Sequence, residues 1–534
     1  MLDDQAVKTK ALTGARAFLQ KLASFPALCG MLLVLEVWAT LPLFIHDPDL
    51  WWHIAVGAKI LRTHAWPTFD PYSFTAHGNP WIAYEWLGEV VIALAAHSGA
   101  MLAGLAWLRV GLAGLLMLLL YYYACLRCRN STAAFLATAL VYLTAYGFLT
   151  LRPQLLGYIF LMITLISLER FRLKQQKSLW LLPVVFMLWV NTHGTFVLGL
   201  GIIALYWLSG VWEWQHGDLE TSRWTRQERQ HLAIVSLLCV LALLITPYGS
   251  RLAAYPFEML LFQNFIVSHV PEWGAIRFTG MWSRSALVLV LLLFLSVLVF
   301  RPRWRLEEMV LFPATFYEAC IHRRMFVVFT LIFVPLLASE VARWVPDLGL
   351  RWKRTALNAS LMVLLAAGMV MLFPSHQELE EPINQMFPVK AVQYLQSHPV
   401  PGPMFNYYMW GGYLIWKFGG RHRVFIDGRA DIYAYSGVFA DYALVEQLSP
   451  QTLFLLRKYS IRSCLLTRDD RLGVFLATLP NWRRAYEDDV SVLYVRQPSA
   501  SSSNSANDEG SAALLSAATP GKVRPPSRQR SDSD

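Results

Sequence analysis

The stretch HDPDLWWH, residues 46 to 53, gathers the carboxylates of Asp47 and Asp49 and the imidazoles of His46 and His53 directly after an apolar run. At such a boundary an unpaired acid is costly, and a base with a raised pKa becomes useful for taking a proton from a hydroxyl. A purely local reading is also open. Asp47 would cap a helix, Pro48 would be its first residue, Asp49 would favour the helix dipole, and Trp51, Trp52 and Trp66 would anchor the segment among lipid headgroups. In the chemical reading Asp47 ranks first as catalytic base. Asp49 lies nearer the positive helix end, which would lower its pKa and make it the poorer base.

The substrate-binding candidates are His53, Glu85, Arg152, Asn191, His193, Arg323 and Arg324. Asn191 and His193, in LWVNTHGTF, interrupt an apolar run with polar side chains and Gly194, as suits a helix break beside a cavity, though a satisfied polar pair at a helix end explains them equally. Arg152, Arg323 and Arg324 fall between spans on the side that normally lacks arginine. A lipid-linked phosphate would hold them there, since guanidinium groups give paired hydrogen bonds to phosphate oxygens, and phospholipid headgroups would serve as well. Glu272 and Trp273, with Tyr248 and Gly249, read as turn and interface residues. Asp427, Arg429 and Asp431 stand at the end of a strand, where α/β sheets place ligands, yet adjacent opposite charges more often tie a loop. No P-loop, GxGxxG, HExxH or serine-nucleophile elbow occurs in the sequence.

The elements that must position these residues lie mostly in lipid. Apolar residues make up 56% of 534 positions and charged ones 15%, and the apolar residues come in long blocks between 26 and 373. A basic N-terminus, 1–25, precedes an apolar run with no small-residue cleavage site, which reads as a retained span. About eleven spans follow: 26–45, 101–124, 132–150, 154–168, 179–190, 195–211, 231–246, 286–300, 306–319, 325–341 and 356–373. With the N-terminus in the cytoplasm, every connection placed inside is basic, including Arg127 with Arg129, Arg170 with Arg172, and Arg301 with Arg303 and Arg305. The formal charge of +10 is explained by this topology, without nucleic acid. Residues 46–100 form an outer loop. In it Trp81 to His97, with Glu85 and Glu89 four apart, reads as an amphipathic helix on the outer surface. Of six cysteines, Cys125 and Cys128 form a lone CxxC, and neither a disulfide framework nor a zinc site is supported.

From about Asn384 the composition changes. PVKAVQYLQSHP reads as helix, MFNYY as strand, GGYLIWKF as helix, RVFIDGR as strand, Phe439 to Tyr459 as helix, and RSCLLT, RRAYED and SVLYVR as strands. The fold class is thus an α-helical polytopic membrane protein, 26–373, with a small C-terminal α/β domain, 384–497, built on a mostly parallel sheet. Residues 498–534, rich in Ser, Ala, Asn and Pro, read as a disordered tail.

An acidic motif after the first span, an outer helix, many spans and a C-terminal soluble domain resemble the membrane glycosyltransferases of the GT-C class. Within it the chain is most similar to bacterial proteins carrying DPDLWWH, NTHG, TPYG with a later EW, WGGYLIW and VFIDGRADIY, over nearly the whole sequence to Arg496. The resemblance implies transfer of a sugar from a polyprenyl-phosphate donor to an acceptor on the extracytoplasmic face of the bacterial inner membrane, with inversion at the anomeric centre. It places the general base or acceptor-positioning acid at Asp47 or Asp49, names lipid and lipid-linked sugar as partners, and leaves the acceptor and a divalent metal unspecified. WGGYL resembles the oligosaccharyltransferase motif WWDYG but lacks its Asp, so a peptide acceptor is not implied. The alternative is a non-catalytic scaffold, lipid- or glycan-binding protein or transporter using the same cavity.

Overall fold

The structure is a computed structural model that describes residues 20–211, 213–216, 219–221, 223–262, 273–352 and 354–497. Glu272 and the tail 498–534 lie outside the described residues.

Each apolar block is helical. The helices are α1 (Phe25–Thr40), α2 (Leu50–Thr63), α3 (Trp86–Ala96), α4 (Met101–Cys128), α5 (Ser131–Ala145), α6 (Pro153–Arg172), α7 (Leu182–Val190), α8 (Phe196–Ser209), α9 (Arg226–Ala242), α10 (Ser250–Phe262), α11 (Met281–Phe300), α12 (Leu306–Ile321), α13 (Phe326–Val341) and α14 (Thr355–Met371). Starts are set by local chemistry: Ser24 and Asn130 accept backbone N–H bonds at the heads of α1 and α5, and Thr225 with Glu228 forms a reciprocal cap on α9.

Among the described residues five helices are long and apolar enough to cross a bilayer: Met101–Cys128, Ser131–Phe148, Pro153–Arg172, Met281–Phe300 and Arg323–Val341. Thr355–Met371 with His376–Met386 makes a sixth if that pair, bent by 54°, is one span. The expected eleven is therefore not met by length; several helices, such as α7 and α8, stop short, with polar turns at their ends. The chain is a multi-pass membrane protein. Its α13 is the central helix, buried along nearly its whole length, with Phe329 and Phe333 stacked 5.2 Å apart and Phe312 of α12 against both. α11 is the opposite case: only 22% of its most apolar stretch is buried, so it turns leucines and valines outward, where lipid satisfies them.

One end of the helix bundle carries an ion network. Arg127 pairs with Glu308 and approaches Glu169 at 3.7 Å, Arg305 reaches Glu169 at 2.7 Å, and Arg172 pairs with Glu307. Three connections read as lying on one side of the membrane thus meet there. Arg152 precedes the opposite end of α6, about 30 Å away for a 20-residue helix.

At that opposite end the outer loop folds into α2 and α3, and the helix Trp86–Ala96 departs from expectation. Its acids turn inward, with Glu89 only 1% exposed, because they find histidine partners inside the protein rather than water outside. The two helices approach closely at Gly57, where a Cβ would lie 2.1 Å from the Glu89 carbonyl oxygen.

The C-terminal domain contains α15 (His376–Met386), α16 (Val389–Ser397), α17 (Gly411–Phe418), α18 (Ala430–Tyr435), α19 (Val438–Glu446), α20 (Thr452–Lys458) and α21 (Arg471–Ala477). Outside this domain β1 (Trp214–His216), β2 (Leu219–Thr221) and β3 (Trp304–Arg305) form a small sheet; the domain's own four-stranded sheet has the order β4-β5-β7-β6, with β4 (Met404–Asn406), β5 (Ser463–Thr467), β6 (Trp482–Glu487) and β7 (Ser491–Arg496). The sheet is not mostly parallel. Only β4 with β5 is parallel, because β6 and β7 form a hairpin through a turn in which Asp488 accepts N–H bonds from Val490 and Ser491. The helix expected over 439–459 is split at Leu448, whose φ of +52° and following Pro450 end it.

RVFIDGR forms no strand and holds only an isolated bridge at Val424. Its Val424 bridges in parallel to Ser73 of the outer loop, donating to the Tyr72 carbonyl and accepting from the Phe74 N–H, while Asn406 accepts the Phe425 N–H. The domain therefore docks on the outer loop through backbone bonds. Gly428 lies against Asp49, where a Cβ would fall 1.8 Å from Oδ1, so a side chain there would displace the acid.

Candidate active site beside a cationic cavity

Pro153 fixes the first turn of α6 and leaves Arg152 in extended conformation at its N-cap, so its side chain leaves the helix end toward the outer loop. There it forms a two-toothed pair with Asp47, Nε to Oδ2 at 2.5 Å and Nη2 to Oδ1 at 2.9 Å, and reaches Asp49 Oδ2 at 3.1 Å. Asp47 is not the helix cap. Its Oδ1 accepts the Asp49 N–H at 3.0 Å two residues before the helix, in a tight side-chain turn. Asp47 is 5% exposed; burial alone would raise its pKa, but the Arg152 charge and hydrogen bonds, with the Asp49 N–H, hold it below the ordinary carboxylate value. The raised pKa expected for a lone acid at a cavity mouth is thus absent, because Arg152 sits on it.

Behind this pair lies a second cluster. His53 Nδ1 stands 3.3 Å from Glu89 Oε1, and His193 Nε2 stands 3.3 Å from Glu85 Oε1. Burial pushes Glu85 up to about 8 against the pull of Arg324 and Arg152, so Glu85 carries a proton at neutral pH. Burial likewise lowers His193, which is neutral, and drives His53 down to about 3. The Thr195 N–H donates to His193 Nδ1 at 3.1 Å, so the remaining ring proton lies on Nε2 and points at Glu85. The cluster is a protonated acid between neutral imidazoles, a polar wall rather than a second set of charges.

Asn191 belongs to the framework. Its amide nitrogen donates to the carbonyls of Met187 and Ile245, and its oxygen accepts from Trp86 Nε1 at 2.8 Å, which bolts α7 to the head of α3.

Arg152 also lines a cavity of about 400 Å³ with Thr150, Gln154, Tyr158, Arg323 and Arg324, and among the described residues these three arginines are its charged groups. Arg324 donates to Gln154 Oε1 at 3.1 Å and stacks its guanidinium over Trp273 at 5.6 Å. Of the residues expected to share one site, Arg152, Arg323 and Arg324 line this cavity, while Asp47 and Asp49 do not and meet it through Arg152. Sequence reasoning also placed Asp47 and Asp49 beside the arginines. It missed Gln154 and Tyr158, whose signal was their helical spacing behind Arg152 on α6, and it gave Glu89 to the solvent side.

A divalent ion does not fit the residues as they stand. Both carboxylates face the Arg152 guanidinium, and among the described residues no three His, Cys, Asp or Glu side chains gather into a metal site.

Asp427, Arg429 and Asp431 are tied down. Arg429 spans Asp427 and Asp70, and Asp431 accepts a hydrogen bond from Tyr255.

No protein-family model matches the chain, and no curated protein matches its sequence. Among solved structures it is similar to an oligosaccharyltransferase of Archaeoglobus fulgidus tethered to an acceptor peptide, at 13% identity and a TM-score of 0.49, over 83% of this chain and 68% of that one. ArnT from Cupriavidus metallidurans is similar at 15% identity and 0.49 in its apo state, over 91% and 98% of the two chains. The same protein bound to undecaprenyl phosphate scores 0.48 at 14% identity, over 88% and 98%.

Proposed function

We propose that this chain is a GT-C-like membrane glycosyltransferase that moves a sugar from a polyprenyl-phosphate donor to a hydroxyl acceptor on the extracytoplasmic face. The observation that supports the reading is the arrangement of a buried carboxylate, Asp47, and a cavity charged by three arginines, joined through Arg152. In the reaction the acceptor oxygen bonds to the anomeric carbon and gives its proton to Asp47. The bond from that carbon to the phosphate oxygen breaks, and the electron pair leaves on the polyprenyl phosphate. Arg323 and Arg324 stabilise the charge gathering there. Arg152 is shared: an incoming phosphate competes with Asp47 for its fork, which frees the acid as the donor binds. Asp49, more exposed, positions the acceptor, and the neutral Glu85–His193 wall bounds its approach.

Arg323→Ala and Arg324→Ala should each weaken binding of undecaprenyl phosphate by about 10- to 100-fold, the range for hydrogen bonds to a charged group, with folded protein unchanged. Lysine should restore part of it, because it keeps the charge and loses the planar fork. Equal binding by wild type and the double alanine variant would remove the phosphate role.

A scaffold without chemistry is favoured by one observation, the same two-toothed Asp47–Arg152 pair, which is also what a latch between the outer loop and α6 would look like. The orientation we propose puts the N-terminus and the Glu169 network in the bacterial cytoplasm, and the Asp47 loop and C-terminal domain outside. Alkaline phosphatase fused after Arg496 should then be active, whereas an active cytoplasmic reporter at that position would reverse the topology.

A further inference from the structure

A second cavity, of about 380 Å³, opens where the C-terminal domain meets the outer loop, at the far end of α17 from Asp47. The head of α17 packs on the candidate active site, since a Cβ at Gly412 would lie 2.7 Å from the Pro48 carbonyl oxygen. The helix is eight residues long, so this cavity stands about 12 Å further along it. Phe74, Leu395, Met404 and Phe418 supply apolar walls. Beyond Phe418 two left-handed glycines, Gly419 (φ +59°) and Gly420 (φ +81°), turn the chain so that Arg421, His422 and Arg423 follow along the rim.

Among the described residues no carboxylate lines this cavity, and neither Arg421 nor Arg423 is in an ion pair. The three rim side chains are exposed. Within the lining, the hydroxyl of Ser463 has no hydrogen-bond partner among the described residues, although the residue is fully buried. A buried donor left unmatched beside apolar walls and a cationic rim is a site built for something that brings both an apolar body and an anion. Two guanidinium forks and an imidazole offer more donors than the two oxygens of a carboxylate can accept, and a phosphate matches them better.

We propose that this cavity binds a phosphate ester carried on a short apolar chain, with the chain on Phe74, Leu395, Met404 and Phe418 and the phosphate on Arg421 and Arg423. The site is separate from the cavity of Arg152, Arg323 and Arg324 and does not depend on transferase activity.

The test uses the full chain in phosphatidylcholine nanodiscs and a decyl phosphate bearing a diazirine in its chain, with cross-linked peptides mapped by mass spectrometry. Labelling is expected on the segments 395–404 and 418–423. It should persist in Arg323→Ala and fall at least tenfold in the double variant Arg421→Gln with Arg423→Gln. In wild type, unlabelled decyl phosphate should displace the probe, while decyl glucoside and inorganic phosphate at the same concentration should not. Undiminished labelling of the double variant overturns the proposal. So does displacement by the glucoside, which would leave an apolar groove alone, or by inorganic phosphate, which would remove the walls from recognition.

Discussion

Asp47→Asn is expected to lower sugar transfer by about 100-fold or more while folded protein still reaches the membrane. The amide oxygen can still accept the Asp49 N–H and one Arg152 hydrogen, so the turn before α2 keeps its shape, but the amide cannot take a proton. The same change separates the two roles of Arg152. With the carboxylate gone, the guanidinium is held less firmly, and undecaprenyl phosphate should bind as well as to wild type or more tightly. A latch without chemistry predicts the reverse: lower stability, unchanged phosphate affinity, and no loss of product per folded molecule. Asp49→Asn should cost less, because in the proposed reaction Asp49 positions the acceptor and takes no proton. The measurement is glycolipid profiling of a deletion strain carrying wild type or either amide variant, beside phosphate binding by the purified proteins. Wild-type profiles from both amides would end the transferase reading at its central residue.

What the sequence made legible follows from which interactions are local. Apolar blocks report helices directly, and every predicted block is helical, because burial in lipid and backbone hydrogen bonding act along the chain. The number that cross the membrane was harder, since α7 and α8 owe their short length to polar turns that pack inside the protein. The grouping of Arg127, Arg172 and Arg305 was visible as charge bias, but the carboxylates that hold them, Glu169, Glu307 and Glu308, come from helices far apart in sequence. Long-range pairing also explains the other departures. Val424 reads as a sheet strand by its apolar neighbours, yet its partner is Ser73, about 350 residues earlier. Glu89 reads as solvent-facing until His53 is placed beside it. Asp47 reads as a raised acid until Arg152, about 100 residues on, is brought to it. Residue type indicated where polar groups gather, and the fold decided which of them neutralise one another.

The same principle sets the largest stability effect, at Arg429. Its side chain is 1% exposed and bridges two carboxylates that are fully buried: Nη1 to Asp70 at 2.7 Å, Nη2 to Asp427 at 2.6 Å, and Nε to Asp427 at 2.8 Å. The cation also lies over the rings of Trp81 at 4.7 Å and Tyr72 at 5.2 Å. Arg429→Met keeps most of the volume and removes the charge, leaving Asp70 and Asp427 buried without compensation, a change that costs about 3–5 kcal/mol. Asp70 belongs to the outer loop and Asp427 to the C-terminal domain, so the loss falls on the joint between them. Because that loop runs on through Trp81 to Glu85, the Glu85–His193 wall should loosen as well. Thermal unfolding in detergent should show an earlier transition for Arg429→Met and an intermediate one for Arg429→Lys, which keeps the charge and loses the fork. Adding Asp70→Asn and Asp427→Asn to Arg429→Met should recover much of the loss, since the triple variant buries no unpaired charge. If Arg429→Met unfolds at the wild-type temperature, the triad is not what holds the C-terminal domain to the outer loop, and the backbone bridge between Ser73 and Val424, with the close packing of Gly412 on Pro48, must carry the joint.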